Sequence, residues 1–140
     1  MALKIGIKHL LDEANRVVEA ISPTDAHALL EDTNQVFINI RDVQELDREG
    51  LTPKAYHAPR GMLEFWVDPD SKYHKSVFSQ GKDLILYCNS GWRSALAAKT
   101  LMDMGLEGIQ HLQGGFSAWR EAALPIAAYQ GLRLNQRGGK

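Results

Sequence analysis

Residues Leu84-Ile85-Leu86-Tyr87 form a near-continuous apolar run, introduced by Gly81-Lys82-Asp83 and followed at once by the only cysteine of the chain, Cys88. A strand without a polar face has to be covered on both sides, so this run reads as a central strand of a parallel sheet. After the loop Asn89 to Arg93, apolar residues recur at positions 95, 96, 98, 101, 102 and 104 and stop at Gly105, which predicts a helix over 94–104. Parallel strands need crossover connections, and a buried strand feeding a helix is the unit that supplies them. Ligands of such sheets bind beyond the carboxyl ends of the strands, and Cys88 lies at one of those ends.

The rest of the chain alternates in the same way. Leu10, Leu11, Ala14, Val17, Val18 and Ile21 recur at three- and four-residue spacing and predict an amphipathic helix over 8–20, packed on the domain or on a partner subunit. Ser22-Pro23-Thr24 breaks it, and Ser22 or Thr24 is placed to cap a short helix over 25–31. Val36 to Ile40 reads as a buried strand, Arg41 to Arg48 as a helix closed by Gly50, and Ala55 to Pro59 as a short strand. Residues 60–80 hold no sustained period and read as a long surface connection with one helical turn around 73–79. Ile109 to Leu112 fits a further strand, Gly114-Gly115 a tight turn, and Phe116 to Ala123 a helix stopped by Pro125. No internal repeat is visible. The chain divides into an N-terminal helical extension, 1–21, a domain over 22–127, and a polar tail over 128–140 that reads as loosely held.

Composition narrows the function classes. A chain of 140 residues with 44% apolar content suffices for one domain with one sizeable core. Sixteen basic and 17 acidic residues are well mixed and leave a net charge of −1, so no field is present to hold nucleic acid or an anionic membrane. The first residues, MALKIGIKHLLDEANRVV, reach Asp12 and Glu13 before any long apolar run, which argues against a secretory or spanning segment and predicts a cytoplasmic protein. A single cysteine makes neither an internal disulfide nor a cysteine-rich metal cluster. His57, His74 and His111 are scattered without metal-ligand spacing and read as structural, while His9 and His27 fall in the N-terminal helical segments, so no metal site is expected.

Cys88-Asn89-Ser90-Gly91-Trp92-Arg93 carries the chemistry if the loop wraps around the sulfur. Gly91 allows torsions that a side chain forbids. A curled loop turns successive N–H groups inward as an anion-binding nest, reinforced by the N-terminus of the helix that begins near Ser94. With Arg93 nearby, such a nest lowers a thiol pKa from its reference of about 8.5 by as much as several units. Arg93 also suits bidentate contact to an oxyanion such as thiosulfate, sulfite or a sulfonate. Each residue has a blander reading. Cys88 alone would be an inert core cysteine, Arg93 a solvated residue of the first helical turn, Trp92 a surface packer rather than the rim of a pocket, and Ser94 a helix-start residue. Asn89 and Ser90 contribute backbone amides in either case. Arg60, before Gly61, adds positive charge to the pocket or pairs with a surface carboxylate.

A cysteine opening a six-residue loop that ends in arginine resembles the active-site loop of rhodanese-like domains. The flanks fit too: Leu84 to Tyr87 before it, and Ser94-Ala95, Ala97-Ala98 and Leu101 after it. Leu112-Gln113-Gly114-Gly115-Phe116-Ser117-Ala118-Trp119, closed by Leu124-Pro125, is similar to the C-terminal signature of the family, and Phe37-Ile38-Asn39-Ile40-Arg41 resembles its early strand motif. The likeness runs over about residues 22–127 and implies a three-layer α/β domain, a mainly parallel sheet with helices on both faces, here with an extra N-terminal helix as a candidate homodimer contact. Two positions depart from the pattern. Asn39 stands where the family usually carries aspartate, and Gly50-Leu51-Thr52-Pro53-Lys54-Ala55 replaces a Gly-His-Ile-Pro-Gly-Ala turn.

The resemblance implies sulfur transfer in two steps without metal or organic cofactor. Cys88 attacks the outer sulfur of a small sulfur-containing anion, becomes a persulfide, and passes that sulfur to cyanide or a thiol. Loop amides stabilise the anion, and Arg93 orients donor and leaving group. Two other classes compete: a cysteine-dependent phosphatase or arsenate reductase of related fold, and a non-catalytic sensing or partner-binding module. Phosphatases of this fold place one residue more between cysteine and arginine than this chain does, and no acid in the loop is available to protonate an alkoxide.

Overall fold

The computed structural model describes residues 2–129 of the chain. Five strands, β1 (Glu19–Ile21), β2 (Gln35–Asn39), β3 (Tyr56–His57), β4 (Asp83–Tyr87) and β5 (Ile109–Leu112), form one sheet in the order β1-β5-β4-β2-β3. Every pairing in it is parallel. The helices are α1 (Ile7–Val17), α2 (Pro23–His27), α3 (Val43–Glu49), α4 (Leu63–Val67), α5 (Trp92–Asp103) and α6 (Gly115–Glu121). Among the described residues no helix is long and apolar enough to cross a membrane.

Alternation along the central strand divides the interior into two cores. Leu84, Leu86 and Cys88 point into one, with Ile38 and Ile40 of the β2 segment, Leu63 and Val67 of α4, and Ala97, Ala98 and Leu101 of α5. Ile85 and Tyr87 point into the other, with Phe37, Ala26 of α2, Leu46 of α3, and Phe116 and Trp119 of α6. The apolar run at 84–87 is therefore covered on both faces, as its lack of a polar side requires. α1 rests on the α5 side through its fully buried Ala14.

Several boundaries differ from the sequence reading. The first helix ends at Val17, and Glu19–Ile21 is an edge strand beside β5, with Ile21 opposite Leu112. The helical spacing of Val17, Val18 and Ile21 was misleading, because β-branched neighbours favour an extended chain once a ladder is available. α2 starts at Pro23, capped by the Ser22 hydroxyl, which accepts the Asp25 N–H at 3.1 Å, and it stops at His27 rather than near residue 31. α4 was missed inside the long connection, where Leu63 and Val67 lie four apart and are both buried. A 3-10 turn, Ser76–Ser79, stands where one helical turn was expected. Toward the C-terminus, Ala127 pairs with Leu51 in an antiparallel bridge and Tyr129 packs into the second core. The remainder of the expected tail, 130–140, lies outside the described residues.

Asn39 is hydrogen-bonded through both ends of its side-chain amide. Its amide donates to the Tyr87 hydroxyl at 3.1 Å, and its carbonyl oxygen accepts the Arg41 N–H at 2.9 Å. The same hydroxyl accepts the Thr52 N–H at 3.0 Å, which ties in the altered turn after α3. An ionised carboxylate at 39 could accept from Arg41 but could not donate to Tyr87. Arg41, wholly buried, bonds Glu49 at 2.7 Å and the Gly50 carbonyl, and its guanidinium lies 4.4 Å from the centre of the Phe116 ring. The Thr52 hydroxyl bonds that of Tyr87 as well, at 3.1 Å, so Tyr87→Phe should leave three buried groups without this partner and lower stability by about 1–3 kcal/mol in chemical denaturation. A change of only a few tenths would mean that the hydroxyl holds nothing together.

Candidate active site

The carboxyl ends of β2, β4 and β5 converge where Cys88 leaves the sheet. Its side chain is 1% exposed, and the sulfur accepts N–H groups from Gly91 at 3.2 Å and from Ser94 at 3.4 Å. Gly91 has φ +99°, a left-handed torsion, while a Cβ added there would meet only ordinary contacts; the torsion rather than space calls for glycine. The loop is held from behind by α6. The Phe116 N–H donates to the Cys88 carbonyl at 2.8 Å and the Ser117 N–H to the Asn89 carbonyl at 3.0 Å. The Ser117 hydroxyl adds a bond to the Asn89 side chain at 3.3 Å. These bonds require contact between backbones, and Gly115 allows it: a Cβ there would lie 2.5 Å from the Asn89 oxygen and 2.7 Å from that of Cys88. The Gly114-Gly115-Phe116-Ser117 motif is thus a clamp on the cysteine loop.

Arg93 pairs with a carboxylate that the sequence reading did not select. Its two terminal nitrogens donate to Glu45 at 2.9 and 2.8 Å, a bidentate pair between α5 and α3. Glu45 also accepts the Asp42 N–H at 3.1 Å, closing a capping box in which the Asp42 side chain accepts the N–H groups of Gln44 and Glu45. The Arg93 guanidinium holds the Glu45 carboxyl at about 2, against the opposing effect of burial and with help from the Asp42 N–H. The spacing Asp42-x-x-Glu45 just after a strand was the available signal. Arg93 itself remains 42% exposed, within reach of a ligand.

The other selected residues are dispersed. Ser90 and Trp92 are exposed, and Trp92 is exposed to 67%. Arg60, expected as a second anion contact, bonds Glu64 at 2.8 Å and approaches Thr100 at 3.5 Å. Thr100 lies about 9 Å farther along α5 than Ser94, so this cation is directed away from the sulfur. His57 and His74 bond the carbonyls of Arg41 and Trp66, as structural histidines do. His111 differs, because its Nδ1 lies 3.0 Å from the Ser94 hydroxyl, whose oxygen is 3.5 Å from the Cys88 sulfur. Pairing of Leu86 with His111 puts that imidazole on the cysteine's side of the sheet, a placement legible only once the strand register is known. Among the described residues no group of three or more His, Cys, Asp or Glu is arranged to hold a metal ion.

Glu45 gives a pH dependence with a definite sign. Its folded-state value of about 2 lies below the ordinary 4.5, so as pH falls the unfolded chain binds the proton first. The stabilisation is complete above 4.5 and fades toward 2. Chemical denaturation across that window should show the loss in the wild type and a flatter acid limb in Glu45→Gln; equal slopes would remove Glu45 from the account.

Comparison with known proteins agrees with this geometry. The model of the rhodanese-like domain matches residues 22–122. The chloroplastic thiosulfate sulfurtransferase 16 of Arabidopsis thaliana is 32% identical over 120 residues, covering 83% of this chain and 98% of its own. An uncharacterized Synechocystis protein is 33% identical over 105 residues, 75% of this chain, and the chain spans only 54% of that relative's length. A solved structure from Rhodopseudomonas palustris, a protein of unknown function described as a possible tyrosine phosphatase, is 46% identical with a TM-score of 0.88 and covers 91% of this chain and 98% of its own. With the cysteine loop, its clamp and the five-stranded parallel sheet in place, the chain belongs to the rhodanese-like domain family.

Proposed function

We propose that the protein is a sulfurtransferase that carries sulfane sulfur as a persulfide on Cys88. The observation that carries this reading is the sulfur itself, buried and met by two backbone N–H groups inside a loop with four residues between Cys88 and Arg93. Such a ring suits one sulfur atom and its anion. Thiosulfate is the donor proposed. The Cys88 thiolate attacks its outer sulfur, the S–S bond breaks, and sulfite leaves with the electron pair. Cyanide or a thiolate then attacks the outer sulfur of the persulfide and releases the Cys88 thiolate. Glu45 engages one N–H on each terminal nitrogen of Arg93, leaving three of its five donors to orient donor oxygens. The relative named as a thiosulfate sulfurtransferase supports this choice of donor.

The description of the Rhodopseudomonas palustris protein favours a second reading, a cysteine-dependent phosphatase. Against it stand the shorter loop and the state of Glu45. A carboxyl held at about 2 and paired to Arg93 has no proton for an alkoxide leaving group. Incubation with thiosulfate and cyanide should give thiocyanate and, by intact mass, one added sulfur on the wild type and none on Cys88→Ser. Release of phosphate from an aryl phosphate without any sulfur increment would overturn sulfur transfer in favour of the phosphatase.

Two further parts of the reading concern the whole molecule. One free thiol in the described residues suits a reducing compartment, and a cytoplasmic location is proposed on that ground. The outer side of α1 exposes Ile7, Leu10 and Val17, with Leu3 and Ile5 exposed just before it, and this apolar stripe is proposed as a homodimer contact. Sedimentation should then find a dimer that Leu10→Glu dissociates; a wild-type monomer at all concentrations would remove the contact.

A further inference from the structure

We propose that His111, acting through the Ser94 hydroxyl, is a positioning residue that sets the charge of the Cys88 sulfur by taking up the thiol proton. The proposal rests on Cys88 being the nucleophile of sulfur transfer, and it adds a residue to that site. Three atoms stand in line: Cys88 Sγ, Ser94 Oγ at 3.5 Å, and His111 Nδ1 at 3.0 Å from that oxygen. All three side chains are buried, at 1%, 0% and 5% exposure. The imidazole also lies beneath the loop, since a Cβ on Gly91 would come within 3.9 Å of His111 Cε1.

A hydroxyl has one proton to donate and lone pairs to accept with. While His111 is neutral and its Nδ1 accepts from Ser94, the hydroxyl can only accept from the Cys88 S–H. Transfer reverses both bonds. The S–H bond breaks as its proton joins Ser94 Oγ, and the original Ser94 proton forms an N–H on His111. The products are a thiolate and an imidazolium, with no change in net charge and no atom lost. Each hydrogen bond persists with opposite polarity, so the serine has an arrangement that serves either state. The N–H groups of Gly91 and Ser94 donate to the sulfur throughout and favour its anion.

The surrounding charges are compatible with such a pair. In the sheet, His111 has Ala20 of β1 and Leu86 of β4 as its partners. Burial holds the His111 pKa below its ordinary value, so the ring is neutral near neutral pH and its Nδ1 can accept the Ser94 hydroxyl proton in a hydrogen bond. Cys88 faces Arg93 of α5, whose charge also meets Glu45 and Asp42 beside α3. Burial opposes an isolated imidazolium, and the thiolate one hydroxyl away offsets that cost.

Alkylation of Cys88 by iodoacetamide, followed by intact mass across pH, tests this without any sulfur donor, and the single cysteine leaves no doubt where the label sits. His111→Asn keeps a hydrogen-bonding side chain but cannot titrate. It and Ser94→Ala should each react about tenfold more slowly near neutral pH, with the reactivity midpoint moved up by about one unit. Ser94→Thr, which keeps the hydroxyl, should hold the wild-type midpoint. The double variant should be no worse than either single one, since both interrupt one relay. Unchanged midpoints in His111→Asn and Ser94→Ala would overturn the proposal. Should those variants fail to fold, the ring titration of His111 in the wild type, followed by NMR before and after alkylation, decides: a shifted midpoint supports the coupling, and an unmoved one overturns it. A low midpoint without thiocyanate turnover would keep the relay and reject thiosulfate transfer, whereas full turnover with unmoved midpoints would reject the relay alone.

Discussion

A peptide plane that turns its carbonyl one way turns the following N–H the other way, and the two bonds from the N-terminus of α6 use this geometry on the cysteine loop. Anchoring the carbonyls of Cys88 and Asn89 to Phe116 and Ser117 fixes the two peptide planes that open the loop. The hold comes from the side of the sheet opposite the Cys88 side chain, because Cys88 belongs to the core under α5 and Phe116 of α6 belongs to the other one. The same bonds satisfy two orphan donors at the helix terminus. A glycine at 115 is the condition for this close approach. The site is therefore shaped by an element that never touches the sulfur.

α3 connects this loop to the interior through two carboxylates. Glu45 and Glu49 lie four residues apart and so on one face of the helix. Glu49 neutralises Arg41, which is wholly buried and stacked on Phe116, while Glu45 pairs with Arg93 at the rim. Removing either carboxylate leaves a cation unpaired, but the costs differ with burial: the charge of Arg41 has no access to water, whereas Arg93 retains some. Phe116 joins both systems, since its N–H holds the loop and its ring carries Arg41. Position and charge at the site thus depend on the packing of α3 against α6 across the end of β4.

What could be read from the sequence was local in origin. The run at 84–87, the loop and the helix after it are consecutive, and hydrophobic pattern with glycine placement was enough to find them; β5 falls at Ile109–Leu112 as expected. The strand Glu19–Ile21 was hidden because an edge strand of three residues takes its stability from a neighbour distant in the chain, here β5. α4 is too short for a period to be recognised. Glu45 and His111 escaped for one reason: each meets its partner across a separation of 48 and 17 residues respectively, and only the parallel register brings them to the loop. Arg60 shows the converse, a cation expected at the site whose partner, Glu64, lies on its own segment.

The burial of Cys88 bears on which donors the proposed reaction can accept. A sulfur that is 1% exposed and enclosed by a loop with four residues between cysteine and arginine is reached by a terminal atom more readily than by one substituted on both sides. The outer sulfur of thiosulfate or of a persulfide is terminal, while each sulfur of an ordinary disulfide carries a carbon that would have to enter the loop. The transferred atom meets the same limit on the way out, since the acceptor has to approach along the path the donor left. A small or slender nucleophile such as cyanide or an unhindered thiol satisfies it. On this reading the loop selects by access to a single atom, and the exposed Trp92 and half-open Arg93 at its mouth act on the remainder of the donor rather than on the sulfur being moved.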